Sequence, residues 1–328
     1  MKAAILCVGI LLAAGACKKT GGGGGGGGGG WLVGTDGLML HVDTNGAASG
    51  YATASHENLN GIACRYSGEA WVVGTHGTLL YTNDAGASWQ PQAVPTTAEL
   101  RTLATQNYGP VFVAGNGVFL TSTDTGAHWT SLGDGTANFR SLTAVQDGET
   151  VLAVSEDGGL WSFENQQLVR RTTIAGARAV AVSPDGQTAI VVGDNLISRS
   201  TDAGRTWSPL SSSASSASSA SSESVRYDDV RLDASGQAIA VGAGGAVAHI
   251  AIDNKVVMQR LGTADLHTLH ISEVGEVGEV GEDDESAGFA AGEGGQVWIT
   301  RDGGLSWTEG PNAGHTVLGV DQIGDGHR

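Results

Sequence analysis

The sequence predicts an all-β fold: a seven-bladed β-propeller of four-stranded antiparallel blades, closed by the C-terminal strand pairing into the N-terminal blade. Three observations support this prediction. An eight-residue motif with the frame Asp-x-Gly-x-x-Trp occurs four times in the 328 residues. A short apolar run followed by a tight turn recurs seven times, at a spacing of about 40 residues. A further apolar segment remains near the C-terminal end, without a repeat of its own.

The motif has the composition of a rigid turn. It reads TNDAGASW at 82–89, STDTGAHW at 122–129, STDAGRTW at 200–207 and TRDGGLSW at 300–307. The Asp carboxylate of such a turn accepts hydrogen bonds from N–H groups two residues on, and a Ser or Thr ahead of it adds another bond. Gly tolerates a positive φ, and Trp supplies a large apolar plate. We therefore expect the motif to hold the turn between the third and fourth strands rather than to catalyse a reaction.

The spacing of the motifs and of the apolar runs defines the repeat. The motifs start 40, 78 and 100 residues apart, which corresponds to one repeat, two repeats, and two repeats with insertions at 211–224 and 273–285. The apolar runs begin near residues 31, 71, 111, 151, 189, 238 and 288. A strand precedes every run except the first, so each repeat is a four-stranded unit typical of a propeller blade. The segment at 315–323 supplies the missing strand, and this closure removes an open sheet edge.

The four motifs resemble the BNR or Asp-box repeat. The matching residues are Asp84, Gly86, Trp89, Asp124, Gly126, Trp129, Asp202, Gly204, Trp207, Asp302, Gly304 and Trp307. The resemblance implies a β-propeller in which the boxes are structural and lie away from the binding face. The family includes sialidases and other glycoside hydrolases, sorting-receptor ectodomains, and photosystem II assembly and stability factors. The last group is the most similar in type, over nearly all of residues 31–328.

Charge and composition exclude several classes of function. The chain has 34 acidic and 17 basic residues, a net charge of −17, which argues against a general nucleic-acid or anionic-membrane surface. Histidines occur singly, without the spacing of metal ligands, and no glycine-rich phosphate loop precedes a helix, so we predict neither a metal nor a cofactor. Cys64 is the one cysteine in the predicted propeller, and we expect it to be a buried apolar residue.

One repeat position carries the candidate binding residues. The predicted first strands begin NLNGI, ELRTL, NFRSL, GARAV, SVRYD and DLHTL. The third residues of these segments are Asn60, Arg101, Arg140, Arg178, Arg226 and His267. First strands are innermost in a propeller, so we expect these residues to surround one mouth of the central channel. Arginine recognises carboxylates and phosphates through its planar fork, and the resemblance to photosystem factors also implies an arginine patch. Alternatively, each arginine pairs with a local acid and seals a blade junction.

These residues predict a non-catalytic binding or assembly scaffold for a protein or peptide ligand, including an acidic one. The alternative is a glycan-directed enzyme or lectin that uses the same face. A sialidase needs an arginine triad and a Tyr–Glu pair, and its usual arginine motif ahead of the first box is missing. The stretch RYDD at 226–229 offers Arg, Tyr and two acids, but the sequence does not define the separation of the two carboxylates. We assign no catalytic residue.

The N-terminal segment predicts a targeting signal. Residues 1–16 combine Lys2 with a short apolar run and read as a signal peptide. The end, LLAAGAC, resembles a bacterial lipoprotein signal with Ala14 where Leu is usual, which implies lipidation of Cys17. Residues 17–30 then form a polyglycine tether to the propeller at 31–328. We expect a monomeric outer-membrane lipoprotein that contacts the membrane through its lipid anchor only; the alternative is a soluble periplasmic or secreted protein.

Overall fold

The chain forms a ring of seven four-stranded antiparallel sheets. The computed structural model describes residues 29–322 except 44, 52, 54–55, 66–67, 108, 146–149, 211–223 and 272–286. The predicted signal peptide, Cys17, the polyglycine tether up to residue 28 and nearly all of both insertions therefore lie outside the described residues. The predicted fold class is confirmed, including the number of blades.

Each blade consists of a first, second, third and outer strand. The first strands are β28 Val317–Gln322, β4 Leu59–Cys64, β8 Leu100–Thr105, β12 Phe139–Ala144, β16 Ala177–Val182, β20 Tyr227–Leu232 and β24 Leu266–Ile271. The second strands are β1 Gly30–Gly34, β5 Ala70–Gly74, β9 Val111–Gly115, β13 Val151–Ser155, β17 Ala189–Gly193, β21 Ala238–Gly242 and β25 Gly288–Gly292.

The third and outer strands complete the blades. The third strands are β2 Met39–Val42, β6 Leu79–Thr82, β10 Val118–Ser122, β14 Gly159–Glu164, β18 Leu196–Ser200, β22 Ala246–Ile250 and β26 Val297–Thr300. The outer strands are β3 Ala48–Gly50, β7 Gln90–Pro91, β11 Thr130–Ser131, β15 Gln167–Thr173, β19 Ser208–Pro209, β23 Val256–Arg260 and β27 Thr308–Glu309.

The first strands form the inner ring, and the C-terminal strand closes it. Each first strand contacts the first strands of both neighbouring blades, and β28 lies between β24 and β4. Strand β28 pairs antiparallel with β1, with Val320 opposite Leu32. The first blade thus combines the two ends of the described chain, as the sequence predicts. Strand β1 begins at Gly30, one residue before the predicted boundary.

The hydrophobic core is divided among the blade junctions. Every residue of all seven second strands is buried, because each of these strands is covered on both faces by neighbouring blades. This burial explains why these segments read as continuous apolar runs rather than as alternating ones. Seven clusters of buried side chains lie between consecutive blades, and one of them joins Leu32 of blade 1 to Phe289 of blade 7.

Candidate functional site

A β-bulge lies near the start of the first strand of every blade. The register with the second strand shifts there, and one residue of the first strand is skipped in the pairing. These residues, which we call the collar, are Asn60, Arg101, Arg140, Arg178, Asp228, His267 and Leu318. A bulge redirects a side chain locally, and here it does so at the same end of each innermost strand.

The bulge in blade 6 corrects one of the predicted binding residues, Arg226. Arg226 lies two residues before the skipped position in blade 6, which Asp228 occupies. The prediction of Arg226 at this position was wrong because Arg-Tyr-Asp-Asp has an arginine close to the repeat position. An offset of one or two residues cannot be detected without the pairing register. Arg226 instead forms an isolated bridge with Asp194 of blade 5.

A second repeat position fixes the turns that surround the collar. In all seven blades the carbonyl two residues before the collar accepts the N–H of the residue that follows a second strand, at 2.7 to 3.0 Å. Six second strands end in glycine because any larger residue there would collide with this carbonyl. A Cβ on Gly193, for example, would lie 1.8 Å from the oxygen of Gly176. This contact places the acids at the start of these turns, such as Glu156 and Asp194, beside the arginines.

Glu156 links the arginines of blades 3 and 4. Its Oε1 accepts a 2.6 Å hydrogen bond from Arg101 and lies 3.8 Å from Arg140. Arg101 also reaches Glu99 at 3.3 Å. The hydrogen bond from Arg101, with a second from Asn138, lowers the pKa of Glu156, so this carboxylate is charged at neutral pH. The Nε atom of Arg140 is buried and has no hydrogen-bond partner among the described residues.

Asp228 has the equivalent place between the arginines of blades 5 and 6. It accepts hydrogen bonds from Arg178 at 2.8 Å and from Arg226 at 3.0 Å. Arg226 also donates to Asp265 at 2.5 Å. Burial alone would lower the pKa of Arg226, but the carboxylates of Asp228 and Asp265 raise it above its ordinary value. Arg101, Arg178 and Arg226 thus form ion pairs across blade junctions, as the alternative interpretation of the sequence expects, while 25 to 36 % of each of the four arginine side chains stays exposed on this face.

The two remaining predicted residues contribute less charge. Asn60 donates to the Leu100 carbonyl at 2.8 Å and to Glu99 at 3.4 Å, so it joins blades 2 and 3. The Gly244 N–H and Arg226 lower the pKa of Asp265 against the effect of burial, and the charge of His267 adds a smaller contribution in the same direction. Sequence reasoning missed the acids around the collar. Glu99 and Asp265 share the position two residues before it, and that recurrence was a detectable signal.

The four Asp-x-Gly-x-x-Trp motifs form nearly identical turns at the opposite end of the blades, between third and outer strands. In each, the hydroxyl of Thr82, Ser122, Ser200 or Thr300 donates to the Asp carboxylate and accepts the glycine N–H. The carboxylate accepts the N–H four residues on, as from Ser88, at 2.8 to 2.9 Å. The expected partner two residues on was wrong, because the positive φ of the glycine turns the chain back over the carboxylate.

The Trp side chains extend these turns into the blade junctions. Trp89 is buried and packs edge-on against Trp31 of blade 1, with ring centroids 5.6 Å apart. Trp207 and Trp307 donate their indole N–H to the glycine carbonyl of their own motif. Blades 4 and 6 lack the motif and have longer outer strands; blade 4 uses a two-residue turn in which Asn165 and Gln166 both have positive φ.

The residues of the RYDD stretch do not converge on one cleft. Arg226 and Asp228 pair with each other, whereas Tyr227 is buried and directs its hydroxyl to the sulfur of Met258 on the outer strand. Asp229 pairs with Arg231 at 3.1 Å and accepts the Leu269 N–H at 2.9 Å.

Among the described residues, no group of three or more His, Cys, Asp or Glu side chains is arranged to hold a metal ion. Within the same ranges, no helix has the length and apolarity of a membrane span.

Comparisons with known proteins find similarity to solved structures only. No family model matches the sequence, and no curated protein matches it. A structure of YCF48 bound to a D1 peptide is similar with a TM-score of 0.56 and 18% identity, over 77% of this chain and 80% of that one. YCF48 from Cyanidioschyzon merolae gives 0.59 and 18%, over 81% and 88%. The WD40 β-propeller domain of Doa1 gives 0.64 and 12%, over 90% and 91%. At these identities the similarity is one of fold, a β-propeller.

Proposed function

We propose that this protein is a non-catalytic binding or assembly scaffold that holds an acidic protein or peptide segment at the arginine-lined mouth of the propeller. The observation that supports this most strongly is the state of Arg140. One third of its side chain is exposed, and its only described ion-pair contact is a 3.8 Å approach to a carboxylate that Arg101 already engages at 2.6 Å. A guanidinium so weakly paired retains donors for an incoming carboxylate.

The neighbouring blade strengthens this proposal. Arg178 is bonded to Asp228 through Nε, and its Nη1 lies 3.6 Å from Asp194, beyond hydrogen-bond distance. Arg140 and Arg178 therefore leave guanidinium donors available at adjacent collar positions, which suits a ligand carboxylate. The complex of YCF48 with a D1 peptide provides independent support, since a protein of this fold accommodates a peptide.

The proposal is tested with a double variant, Arg140→Gln with Arg178→Gln. The matched control is Arg205→Gln with Lys255→Gln, which removes the same charge from the turns at the opposite end of blades 5 and 6. Wild type and both variants are immobilised and used to capture proteins from envelope extract. The most abundant protein captured by wild type is purified, and its affinity for each of the three proteins is measured by calorimetric titration. We expect the collar variant to weaken binding by at least roughly tenfold and the control to match wild type. Equal affinity of all three proteins would refute the assignment.

We further propose that the protein is an outer-membrane lipoprotein, a monomer anchored through Cys17, with the polyglycine segment as a tether. The support is the sequence LLAAGAC, followed after Lys18, Lys19 and Thr20 by ten glycines. In fractionated cells, we expect wild-type protein in the outer-membrane pellet and the Cys17→Ser variant in another fraction. Recovery of both proteins in the same soluble fraction would favour a periplasmic or secreted protein.

A further inference from the structure

A cavity of about 250 Å³ opens at the junction of blades 3 and 4. Its main side chains are Phe119, Leu132, Asp134, Phe139, Trp161 and Leu168. Phe119 and Phe139 are buried and form the floor, whereas the two leucines and Trp161 are partly exposed at the opening. Part of the cavity wall is the link from β11 to β12, which ends at Asn138, two residues before Arg140, but no collar residue lines the cavity.

The link sequence explains why this junction is not filled. The segment Leu-Gly-Asp-Gly-Thr-Ala contains Gly133 and Gly135, both with positive φ, and these residues carry no side chain to cover the aromatic floor. At the preceding junction the corresponding link supplies Val94, which packs into the core cluster of blades 2 and 3. The glycine-rich link between blades 3 and 4 has Asp134 at the position that corresponds to Val94, so it supplies no apolar side chain there. Apolar cavities of about 150 Å³ already accommodate benzene, so this one has room for an aromatic or aliphatic ligand.

Charge restricts the class of ligand. Asp134 is the one ionisable residue among the cavity's lining residues, and it is exposed at the edge. Hydrogen bonds from the hydroxyl and the N–H of Thr136 lower the pKa of this carboxyl, which keeps it negative at neutral pH. The Arg170 guanidinium lies over one side of the Trp161 ring, with 5.6 Å between the guanidinium carbon and the ring centroid, and its charge is compensated by an ion pair with Asp157 at 2.6 Å. Aromatic faces beside a carboxylate attract cations and disfavour anions.

We propose that the cavity between blades 3 and 4 binds a small aromatic molecule that carries an ammonium group, an arylalkylamine. The apolar body lies against Phe119, Phe139 and Trp161, and the ammonium group lies at Asp134. This site is independent of the proposed collar function, because it uses other residues and a ligand of opposite charge.

Three ligands of similar size test the proposal: benzylammonium, benzyl alcohol and benzoate. Their dissociation constants for the full chain are measured by ligand-observed NMR at neutral pH and low salt. We expect benzylammonium to bind roughly three- to tenfold more tightly than benzyl alcohol, with benzoate weakest, and this advantage to shrink as salt is added. Equal binding of the ammonium and the alcohol, or no saturable binding of the ammonium, would overturn the proposal.

Two substitutions connect the binding to this cavity. Asp134→Asn keeps an oxygen that accepts the Thr136 N–H but removes the charge, so benzylammonium is expected to fall to the affinity of benzyl alcohol. The matched control is Asp233→Asn, since Asp233 accepts a hydroxyl and an N–H in a similar turn of blade 6. Ala137→Leu fills the cavity and is expected to abolish binding of both ligands, with folding monitored by the melting temperature. Unchanged affinity in Asp134→Asn would exclude this site.

Discussion

The Nδ1 atom of His270 lies 2.7 Å from Oδ1 of Asp321, and this contact joins blade 7 to the strand that closes the ring. The other oxygen of the same carboxylate accepts the Cys64 N–H of blade 2 at 2.8 Å. One side chain on β28 thus holds the closing strand to both of its neighbours in the inner ring. Burial alone would raise the pKa of Asp321, but the hydrogen bond from His270 lowers it below the ordinary value.

The first prediction concerns this closure. We expect Asp321→Ala to lower the free energy of unfolding by about 2–4 kcal/mol, because it leaves the Cys64 N–H and His270 without this carboxylate in a largely buried place. Urea denaturation measures the change. Glu309→Ala, an exposed position on outer strand β27, is the control and is expected to change stability by less than about 0.5 kcal/mol. A similar effect of the two substitutions would mean that Asp321 does not hold the ring closed.

The second prediction is a pH dependence of stability. The N–H and side chain of His128 lower the pKa of Asp124 to about 2, and Thr206 does the same for Asp202. A carboxyl whose pKa is lower in the folded state stabilises that state above its unfolded pKa, and this contribution disappears as the pH falls through the folded pKa. The urea midpoint should therefore drop between about pH 4 and about pH 2. The Asp124→Asn, Asp202→Asn double variant should show a smaller drop; an identical slope would contradict this prediction.

The third prediction separates backbone strain from steric overlap by comparing Gly304, in a motif turn, with Gly314, in the link between β27 and β28. Gly304 has φ +86°, and an added Cβ would lie 2.3 Å from Cδ1 of Ile239. Gly314 has φ +79° but nothing within 4 Å of an added Cβ. We expect Gly314→Ala to cost about 1 kcal/mol from strain alone and Gly304→Ala to cost about 2–4 kcal/mol from strain and overpacking. Thermal and urea unfolding of the two variants provide the comparison, and equal losses would exclude a packing role for Gly304.

The fourth prediction concerns the charge balance of the collar. Glu156→Gln removes the carboxylate that lies between Arg101 and Arg140. Arg101 then keeps its contact with Glu99, but both guanidinium groups gain donors for an acidic partner. We expect partner affinity to rise by roughly three- to tenfold at low salt, measured by calorimetric titration. Glu164→Gln removes a carboxylate paired with Arg171 at the opposite end of blade 4 and is the matched control. If Glu156→Gln weakens binding instead, the arginines act only within the fold.

Much of the architecture could be predicted because it depends on local, repeated features. The buried second strands produce apolar runs wherever neighbouring blades cover both faces. Six of the seven runs end in a glycine, because a carbonyl just before the first strand of the same blade approaches closely there. The turn residues of the motifs recur with the same spacing, so they define the repeat without any knowledge of contacts. The strand at the C-terminal end could be assigned to blade 1 because the first repeat lacked a strand and a closed ring needs one.

The arrangement around the collar depended on tertiary structure. The bulge in β20 puts Asp228, not Arg226, at the repeat position, and a bulge is a matter of pairing register that the residues of one strand do not determine. The charges of the collar depend equally on contacts between segments far apart in the chain, since Glu156 meets Arg101 only when blades 3 and 4 are adjacent. Periodicity in the sequence therefore determined which segments form blades. Packing of one blade against the next decided which charges lie together, because that packing joins residues about 40 or more positions apart, whose pairing no local pattern encodes.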